Sequence, residues 1–246
     1  MRKLFILAMV SVVVLMFVGC EEEPTSPIDP PSNLTITANP DGLTLTVSWT
    51  KSPTEDTEDG IDGYYVYFNG ELEADLEPGT YQYQFSPDGL GTISVSAYRG
   101  DEESNEVSAT TETVERNNIT LAAWESSDPS SIGWDRISGM YTLYNTVSEN
   151  AENIDVVWDS RDQTLNSPDV IWTDLGLETT WFAEDDGSGV VPTTGLENYI
   201  EVAVGQGYYI ELPDGYYLLL TVDSENEGNI NISYKFQKIQ GYRRVY

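Results

Sequence analysis

Residues 34–53 read LTITANPDGLTLTVSWTKSP, and this stretch decides the fold of the first part of the chain. Apolar and polar residues alternate on both sides of Asn-Pro-Asp-Gly at residues 39–42, a sequence typical of turns. The same alternation returns in DGYYVYFNG (62–70), TYQYQF (80–85) and GTISVSAYRG (91–100). Short alternating segments separated by turn signals predict an all-β sandwich.

Residues 31–114 resemble a fibronectin type III domain. Trp49 closes the apolar run of the second strand as a tryptophan does in that family, and Tyr65-Val66-Tyr67 matches its third strand. The sixth strand is matched by Ile93, Val95 and Ala97. The family's corner tyrosine is replaced near Leu90-Gly91, so its hydrogen bond is expected to be absent or supplied elsewhere. We predict a fibronectin type III-like sandwich over residues 32–115.

The character of the sequence changes after Val114. Residues 116–246 carry five of the six tryptophans, and strand signals recur without a sustained helical stripe. GYYIEL and YYLLLTV, joined by Pro213-Asp214-Gly215, predict a β-hairpin. Residues 229–236 alternate between apolar and polar side chains, which predicts a half-buried antiparallel strand. The region 116–246 is therefore predicted to be a second antiparallel β domain.

Three segments of this region are similar in order and spacing to HmuY-like haem-binding lipoproteins: GWDRISGMYTL (133–143), NIDVVWDSRDQTLNS (153–167) and residues 207–236. The resemblance implies haem as a candidate ligand. Some of those relatives hold haem through histidine, however, and this chain contains none. Met140, Tyr208 or Tyr217 could ligate iron instead, but aromatic residues at strand spacing usually pack in the core. No cofactor is therefore expected, and haem is the disfavoured alternative.

The N-terminal segment has the layout of a secretory signal. Arg2 and Lys3 precede an apolar run that is too short for a comfortable transmembrane helix. Phe17-Val18-Gly19-Cys20 resembles the lipobox of bacterial lipoproteins, which implies a signal peptide over residues 1–19 and lipidation of Cys20. A plain secretory signal is the alternative.

An acidic, Pro-rich tether is predicted over residues 20–31. Its run Glu21-Glu22-Glu23 looks like an export signal for the outer face of the cell, or else it is a solvated spacer. The lipid anchor makes the membrane one expected partner and the bacterial outer membrane the expected location.

The chain carries 42 acidic residues against 11 basic ones, a formal charge of −31. Nucleic acid is excluded as a partner, because phosphate binding depends on Lys and Arg. Cys20 is the single cysteine of the sequence, so no disulfide can form within the chain. Stability must come from packed cores.

Catalysis is disfavoured by the residue types present. Without histidine or a second cysteine, Ser-His-Asp and Cys-His arrangements and ordinary zinc sites cannot be built. Glu184-Asp185-Asp186 offers carboxylates for glycosidase chemistry, but these neighbours precede a Gly-Ser-Gly turn and are better explained as a solvated loop. We therefore predict that the protein is not an enzyme.

The loop PTEDTEDGIDG (53–63) has the oxygen-rich composition of a calcium site. Its acidic residues are Glu55, Asp56, Glu58, Asp59 and Asp62. The loop fails the EF-hand pattern, because Thr57 and Val66 fall where acidic ligands are required. No metal site is therefore predicted.

Two classes of function remain. In the first, the protein is a surface binding or adhesion module whose C-terminal domain meets a glycan, a peptide or a small hydrophobic ligand. The predicted ligand-binding residues are Trp134, Trp158, Trp172 and Trp181. In the second, it is a structural envelope protein that packs against a protein partner. Exposed tryptophans in this region, which also contains Trp124, favour the first class, and buried ones favour the second.

Overall fold

A computed structural model describes residues 26–246, and almost all of its regular structure is antiparallel β-strand. The all-β fold class predicted from the sequence is confirmed. Cys20, the predicted signal peptide and the first part of the tether lie outside the described residues. Between residues 26 and 246, no helix is both long and apolar enough to cross a membrane.

The first sandwich is built from eight strands, of which one has only two residues. They are β1 (Ser32–Ala38), β2 (Leu45–Thr50), β3 (Gly63–Phe68), β4 (Glu71–Leu76), β5 (Gln82–Phe85), β6 (Thr92–Arg99), β7 (Glu102–Glu103) and β8 (Val107–Thr110). One sheet has the order β1-β2-β5. The other has the order β4-β3-β6-β7, with β8 also paired to β6.

The core of the first sandwich follows from the alternation read in the sequence. Leu45, Val47 and Trp49 alternate along β2 and are all buried, because successive side chains of a strand point to opposite faces. Trp49 packs edge-on against Tyr64 with ring centroids 5.7 Å apart. At the loop that lacks the corner tyrosine, the Gly91 amide donates a hydrogen bond of 2.8 Å to Thr111 Oγ1. The fibronectin type III-like sandwich is thus present, with a different hydrogen bond in that loop.

The second sandwich contains ten strands. They are β9 (Val114–Leu121), β10 (Ser131–Trp134), β11 (Tyr141–Tyr144), β12 (Val156–Asp159), β13 (Thr164–Asn166), β14 (Trp181–Glu184), β15 (Tyr199–Glu201), β16 (Gly207–Glu211), β17 (Tyr217–Asn226) and β18 (Asn229–Gln237). Two five-stranded sheets, β11-β10-β12-β13-β15 and β14-β16-β17-β18-β9, share one hydrophobic core. A single short α-helix, α1 (Pro168–Ile171), is present among the described residues.

Two local predictions for this region are confirmed. The Pro213-Asp214-Gly215 turn joins β16 to β17, whose register pairs Glu211 with Tyr217. In β18 the residues Ile230, Ile232, Tyr234 and Phe236 are each at most 2% exposed, as the alternation predicts. The proposed boundary near residue 115 stays a prediction, and β9 spans it while pairing with β18.

The segment after β18 returns to the first sandwich. Tyr242 is fully buried in the core that contains Trp49 and Tyr64, and Ile239 packs against the same core. Gln237 Nε2 donates hydrogen bonds of 3.0 Å to the carbonyl oxygens of Thr111 and Arg244, which fastens the start of this segment. The two sandwiches are therefore joined by packing as well as by the chain.

Candidate functional site

Four connecting segments of the second sandwich meet at one end and enclose two adjoining cavities. The segments are the β10–β11 turn, a 3₁₀ helix at Ser148–Asn153, the loop at residues 172–180 and the β16–β17 turn. Gly133 of β10 permits this approach, because a Cβ there would collide with the carbonyl oxygen of Asn153. The arrangement is typical of binding sites, which often lie on loops held by a rigid scaffold.

The β10–β11 turn is held by its own side chains. Asp135 Oδ1 accepts hydrogen bonds from the Ser138 amide (2.8 Å) and the Ser138 hydroxyl (2.7 Å). These bonds lower the pKa of the Asp135 carboxyl, so the turn is anchored by a carboxylate at neutral pH. Asp135 and Ser138 thereby fix the backbone that carries Arg136.

Arg136 is the centre of the site. Its guanidinium donates two hydrogen bonds of 2.8 Å to Asp155 and one of 2.7 Å to Asp214 Oδ2. A further bond of 2.7 Å reaches the carbonyl oxygen of Trp134, whose amide in turn donates to Asp155 Oδ2. We call Arg136, Asp155 and Asp214 the Arg136 cluster. These bonds connect three segments at this end of the second sandwich: the β10–β11 turn, the residue before β12 and the β16–β17 turn.

The two carboxylates of the Arg136 cluster keep the Arg136 guanidinium protonated. Burial by itself would lower the pKa of Arg136, but the hydrogen bonds and charges of Asp155 and Asp214 raise that pKa above its ordinary value. Asp155 has a side chain only 11% exposed, whereas that of Asp214 is 41% exposed. The bidentate pair with Asp155 is therefore the more protected of the two contacts.

Two cavities share the pair formed by Arg136 and Asp155 in their linings. The acidic cavity, of about 300 Å³, is lined by Arg136, Ala151, Glu152, Ile154, Asp155, Pro168, Gly176, Leu177, Glu178, Thr180, Pro213 and Asp214. The hairpin cavity, of about 510 Å³, is lined by Gly133, Trp134, Asp135, Arg136, Ile137, Thr142, Tyr144, Glu152, Asn153 and Asp155. Ile137, at the rim of the hairpin cavity, is 88% exposed. The Ile137 side chain is therefore accessible to a ligand or partner at this cavity.

The predicted ligand-binding tryptophans are not gathered into one patch. Trp158 is 1% exposed in the core and donates its indole N–H to the Gly228 carbonyl oxygen at 2.8 Å. Trp134 is 6% exposed, belongs to the same core and lines the hairpin cavity. Trp172 is half-buried after α1, and Trp181 on β14 is 39% exposed. Trp124 is half-buried beneath the Arg161 guanidinium, 4.2 Å from the ring centroid.

The three residues named as alternative haem ligands do not converge. Tyr208 is buried in the core between the sheets, where its hydroxyl accepts a hydrogen bond from the Ala203 amide (2.7 Å). Tyr217 belongs to a separate cluster, and the register of β16 and β17 puts it on the opposite face of the sheet. Met140 Sδ accepts a hydrogen bond from Arg116 at 2.9 Å. Tyr208 and Tyr217 therefore pack in hydrophobic clusters, the role that the sequence analysis favoured, whereas Met140 is 40% exposed.

The acidic loop at residues 53–63 is occupied by internal contacts. Glu55 accepts hydrogen bonds from the hydroxyls of Tyr64 and Tyr81, and Asp56 pairs with Lys51. Asp62 accepts a bond of 2.7 Å from the Gly100 amide. Within residues 26–246, no group of three or more acidic or cysteine side chains is placed to hold a metal ion.

Glu184 ends β14, and the carboxylates of Asp185 and Asp186 stabilise the turn that follows. Asp185 and Asp186 accept hydrogen bonds of 2.9 Å from the amides of Gly187 and Ser188, respectively. The side-chain and backbone hydrogen bonds of Ser188 lower the pKa of Asp186. This is the behaviour of carboxylates that stabilise a loop.

Sequence reasoning missed the Arg136 cluster and Thr180. Arg136 and Asp155 lie inside GWDRISG and NIDVVWD, segments singled out for their order and spacing, but their ion pair joins positions 19 residues apart. The one sequence feature that could have indicated this cluster is the single arginine, Arg136, in the β10–β11 turn. No local pattern identified Thr180 or Asp214 as its neighbours.

Comparisons with known proteins give likeness of fold alone. No protein-family model matches the chain, and no curated protein matches it at a significant level. A DUF4466 family protein from Parabacteroides merdae is 12% identical over 88% of this chain and all of its own length, with a TM-score of 0.41. A two-domain fibronectin type III segment of chicken tenascin is 14% identical over 83% of this chain and 98% of its own, with a TM-score of 0.29. The structure titled FN3tt mut is 19% identical over 35% of this chain and 94% of its own, with a TM-score of 0.29.

Proposed function

We propose that this chain is a lipid-anchored, non-enzymatic binding or adhesion protein of the bacterial outer membrane. Lipidated Cys20 and the tether attach it to the membrane, and the second sandwich faces the ligand. The observation that supports the binding role is the pair of cavities whose linings share Arg136 and Asp155. Concave sites with a few fixed polar groups are the usual form of ligand pockets.

The two carboxylates that hold Arg136 support a binding role for this site. Asp155 and Asp214 both face Arg136, so neither carboxylate is poised as a free acid or base. The positions of Asp135 and Arg136 are fixed by hydrogen bonds within the turn and to Asp155. A site built in this way holds a ligand in a preformed cavity at low cost in conformational entropy.

A ligand panel tests the binding role. The full chain, purified in a mild nonionic detergent, is titrated with polysaccharide fragments, peptides, fatty acids and haemin while its melting temperature and tryptophan fluorescence are followed. We expect at least one class of ligand to raise the melting temperature. Haem ligation by Met140 or a tyrosine would instead shift the Soret band with a defined stoichiometry.

A matched pair of variants locates the binding. Ile137→Ser removes the exposed aliphatic residue that lines the hairpin cavity, whereas Val147→Ser changes a residue that is 44% exposed and lies outside both cavity linings. Ligand binding at this end should weaken in the first variant and persist in the second. Absence of binding by every class of ligand would contradict the proposal.

A structural role in the envelope is the second candidate. It is supported by the burial of Trp134 and Trp158, which leaves Trp181 as the most exposed tryptophan of the described chain. In that case a protein partner covers the exposed surface of the second sandwich. Crosslinking in cells from a photoreactive residue at position 137 or 181 should then capture one defined envelope protein.

A further inference from the structure

We propose that the acidic cavity binds an organic cation, a primary ammonium carried on a short apolar stem. This inference rests on the proposed binding function and names the class of ligand for one of its two cavities. The ammonium would come either from a lysine side chain of a polypeptide or from a free alkylamine. Both sources present the same chemistry to the protein.

A buried hydroxyl without a partner points to a ligand here. Thr180 lines the acidic cavity and is 0% exposed, and within the described residues its Oγ1 makes no hydrogen bond. The Thr180 amide donates to Ser167 Oγ at 2.8 Å, which fixes the backbone that carries this side chain. A buried hydroxyl left unpaired destabilises the fold, because it has lost its hydrogen bonds to water. An ammonium donor in the cavity would satisfy it.

The charge of the lining selects a cation. Arg136 is the one basic residue of the lining, and its hydrogen bonds are directed to Asp155 and Asp214. Glu152 and Glu178 also line the cavity, and neither forms an ion pair with a residue in the 26–246 range. Four carboxylates against one guanidinium would repel an anionic ligand and attract a cationic one.

The shape and the apolar lining select an organic cation over a metal ion. In the described part of the chain, no three carboxylates converge as metal ligands, so the charge is spread around the rim. Ala151, Ile154 and Pro168 form a buried apolar part of the lining. A cavity of about 300 Å³ accommodates an alkyl chain of a few carbon atoms against this surface.

A series of matched probes tests the charge requirement. The full chain in nonionic detergent is titrated calorimetrically with pentylamine, pentan-1-ol and pentanoate, which share one stem and differ in charge. We expect saturable binding of one pentylamine per chain, weaker binding of the alcohol and none of the acid. Equal or tighter binding of the alcohol or the acid would overturn the proposal, as would failure of both pentylamine and the lysine peptide described below to bind.

Two substitutions link binding to the named groups. Thr180→Val should weaken pentylamine binding about tenfold by removing the hydroxyl, and Thr180→Ser should restore most of the affinity. Glu152→Gln should weaken binding about threefold. Glu149→Gln, which makes the same charge change in the same 3₁₀ helix outside the cavity lining, should leave it unchanged. Unchanged binding in both Thr180→Val and Glu152→Gln would refute the assignment.

A peptide arm distinguishes the two sources of the ammonium. Gly-Gly-Lys-Gly-Gly is compared with pentylamine and with the same peptide carrying norleucine in place of lysine. Tighter binding of the lysine peptide supports a polypeptide ligand, and tighter binding of pentylamine supports a free amine. If all these probes fail while a member of the ligand panel binds, the cation assignment is wrong and the binding function stands. If nothing in either set binds, both fail.

Discussion

Arg243 donates two hydrogen bonds, of 2.9 and 3.3 Å, from its guanidinium to the carbonyl oxygen of Asp41, which lies 202 positions earlier in the chain. Gly42 makes room for this contact, because a Cβ at that position would lie 2.6 Å from Arg243 Nε. The preceding residue, Tyr242, is fully buried in the core of the first sandwich. A segment that follows the last strand of the second sandwich thus completes the core of the first.

Tyr242→Ala is expected to destabilise the first sandwich. Removing a fully buried aromatic side chain costs about 3–5 kcal/mol of unfolding free energy. Hydrogen–deuterium exchange measured by mass spectrometry should show lost protection in β2 and β6. Tyr246→Ala serves as control, since Tyr246 is 39% exposed and its loss should cost about 0.5 kcal/mol. Equal effects of the two variants would show that Tyr242 adds little to this core.

Asp155→Ala is expected to weaken the end of the second sandwich. It leaves the guanidinium of Arg136 without its bidentate partner, which costs about 3 kcal/mol for a protected ion pair. Asp214→Asn removes the more exposed carboxylate from the same guanidinium and should cost less than about 1 kcal/mol. Urea unfolding of both variants gives the comparison. A larger loss for Asp214→Asn would contradict the order of importance assigned to the two contacts.

Tyr234 is expected to make the protein less stable as the pH rises into the alkaline range. Burial raises the pKa of its hydroxyl to about 12 in the folded chain, against about 10 in an unfolded one. The raised folded pKa means that this contribution is complete below about pH 10 and is lost as the pH rises towards about 12.

Tyr234→Phe should therefore lose less stability than the parent chain between these pH values. Urea midpoints measured just below about pH 10 and near about pH 12 test this. The hydroxyl also donates to the Gly139 carbonyl oxygen at 2.8 Å, so the variant is compared with its own value at neutral pH. Parallel losses in the variant and the parent chain would rule out Tyr234 as a source of the dependence.

Substitution of Trp158 is expected to destabilise the protein much more than substitution of Trp181. Trp158→Ala removes a side chain that is 1% exposed and should cost about 3–5 kcal/mol. Trp181→Ala removes one that is 39% exposed and should cost less than about 1 kcal/mol. Thermal unfolding measures both costs. Quenching of tryptophan fluorescence by acrylamide, lost mainly in Trp181→Ala, reports the exposure of Trp181. Comparable melting temperatures would mean that Trp158 is not a core residue.

Cys20→Ala is expected to release the protein from membranes or to block its maturation, because acyl chains on this residue are the proposed anchor. Cells fed labelled palmitate are fractionated, and the label should be present in the parent chain and absent from the variant. Equal membrane retention of the two forms would discard the lipoprotein assignment.

The sequence was sufficient to predict strands, turns and buried side chains where the pattern involves only neighbouring residues. The alternation in residues 45–49 and 229–236 predicted which side chains are buried, because successive residues of a strand face opposite sides of a sheet. Pro213-Asp214-Gly215 predicted the hairpin of β16 and β17, because turn residues fix the backbone conformation that reverses the chain. Strand type and fold class followed from these short-range rules.

The tryptophans mark the limit of that reasoning. An indole suits both a ligand surface and a core, and nothing within a strand distinguishes Trp158, buried between two sheets, from the exposed Trp181. The difference depends on which face of each sheet is covered by the other. That is a property of the whole sandwich.

Only the tertiary structure decided the candidate site. Arg136 meets Asp155 and Asp214 across 19 and 78 residues of chain, and Thr180 joins the same cavity from a fourth segment. Tyr242 enters the core of a sandwich whose own strands end at Thr110. Contacts of this kind depend on the way in which the long loops pack over the ends of the sheets. The sequence therefore determined the strands and turns of this protein, whereas the packing of distant loops, which carries no periodic signal, determined its cavities.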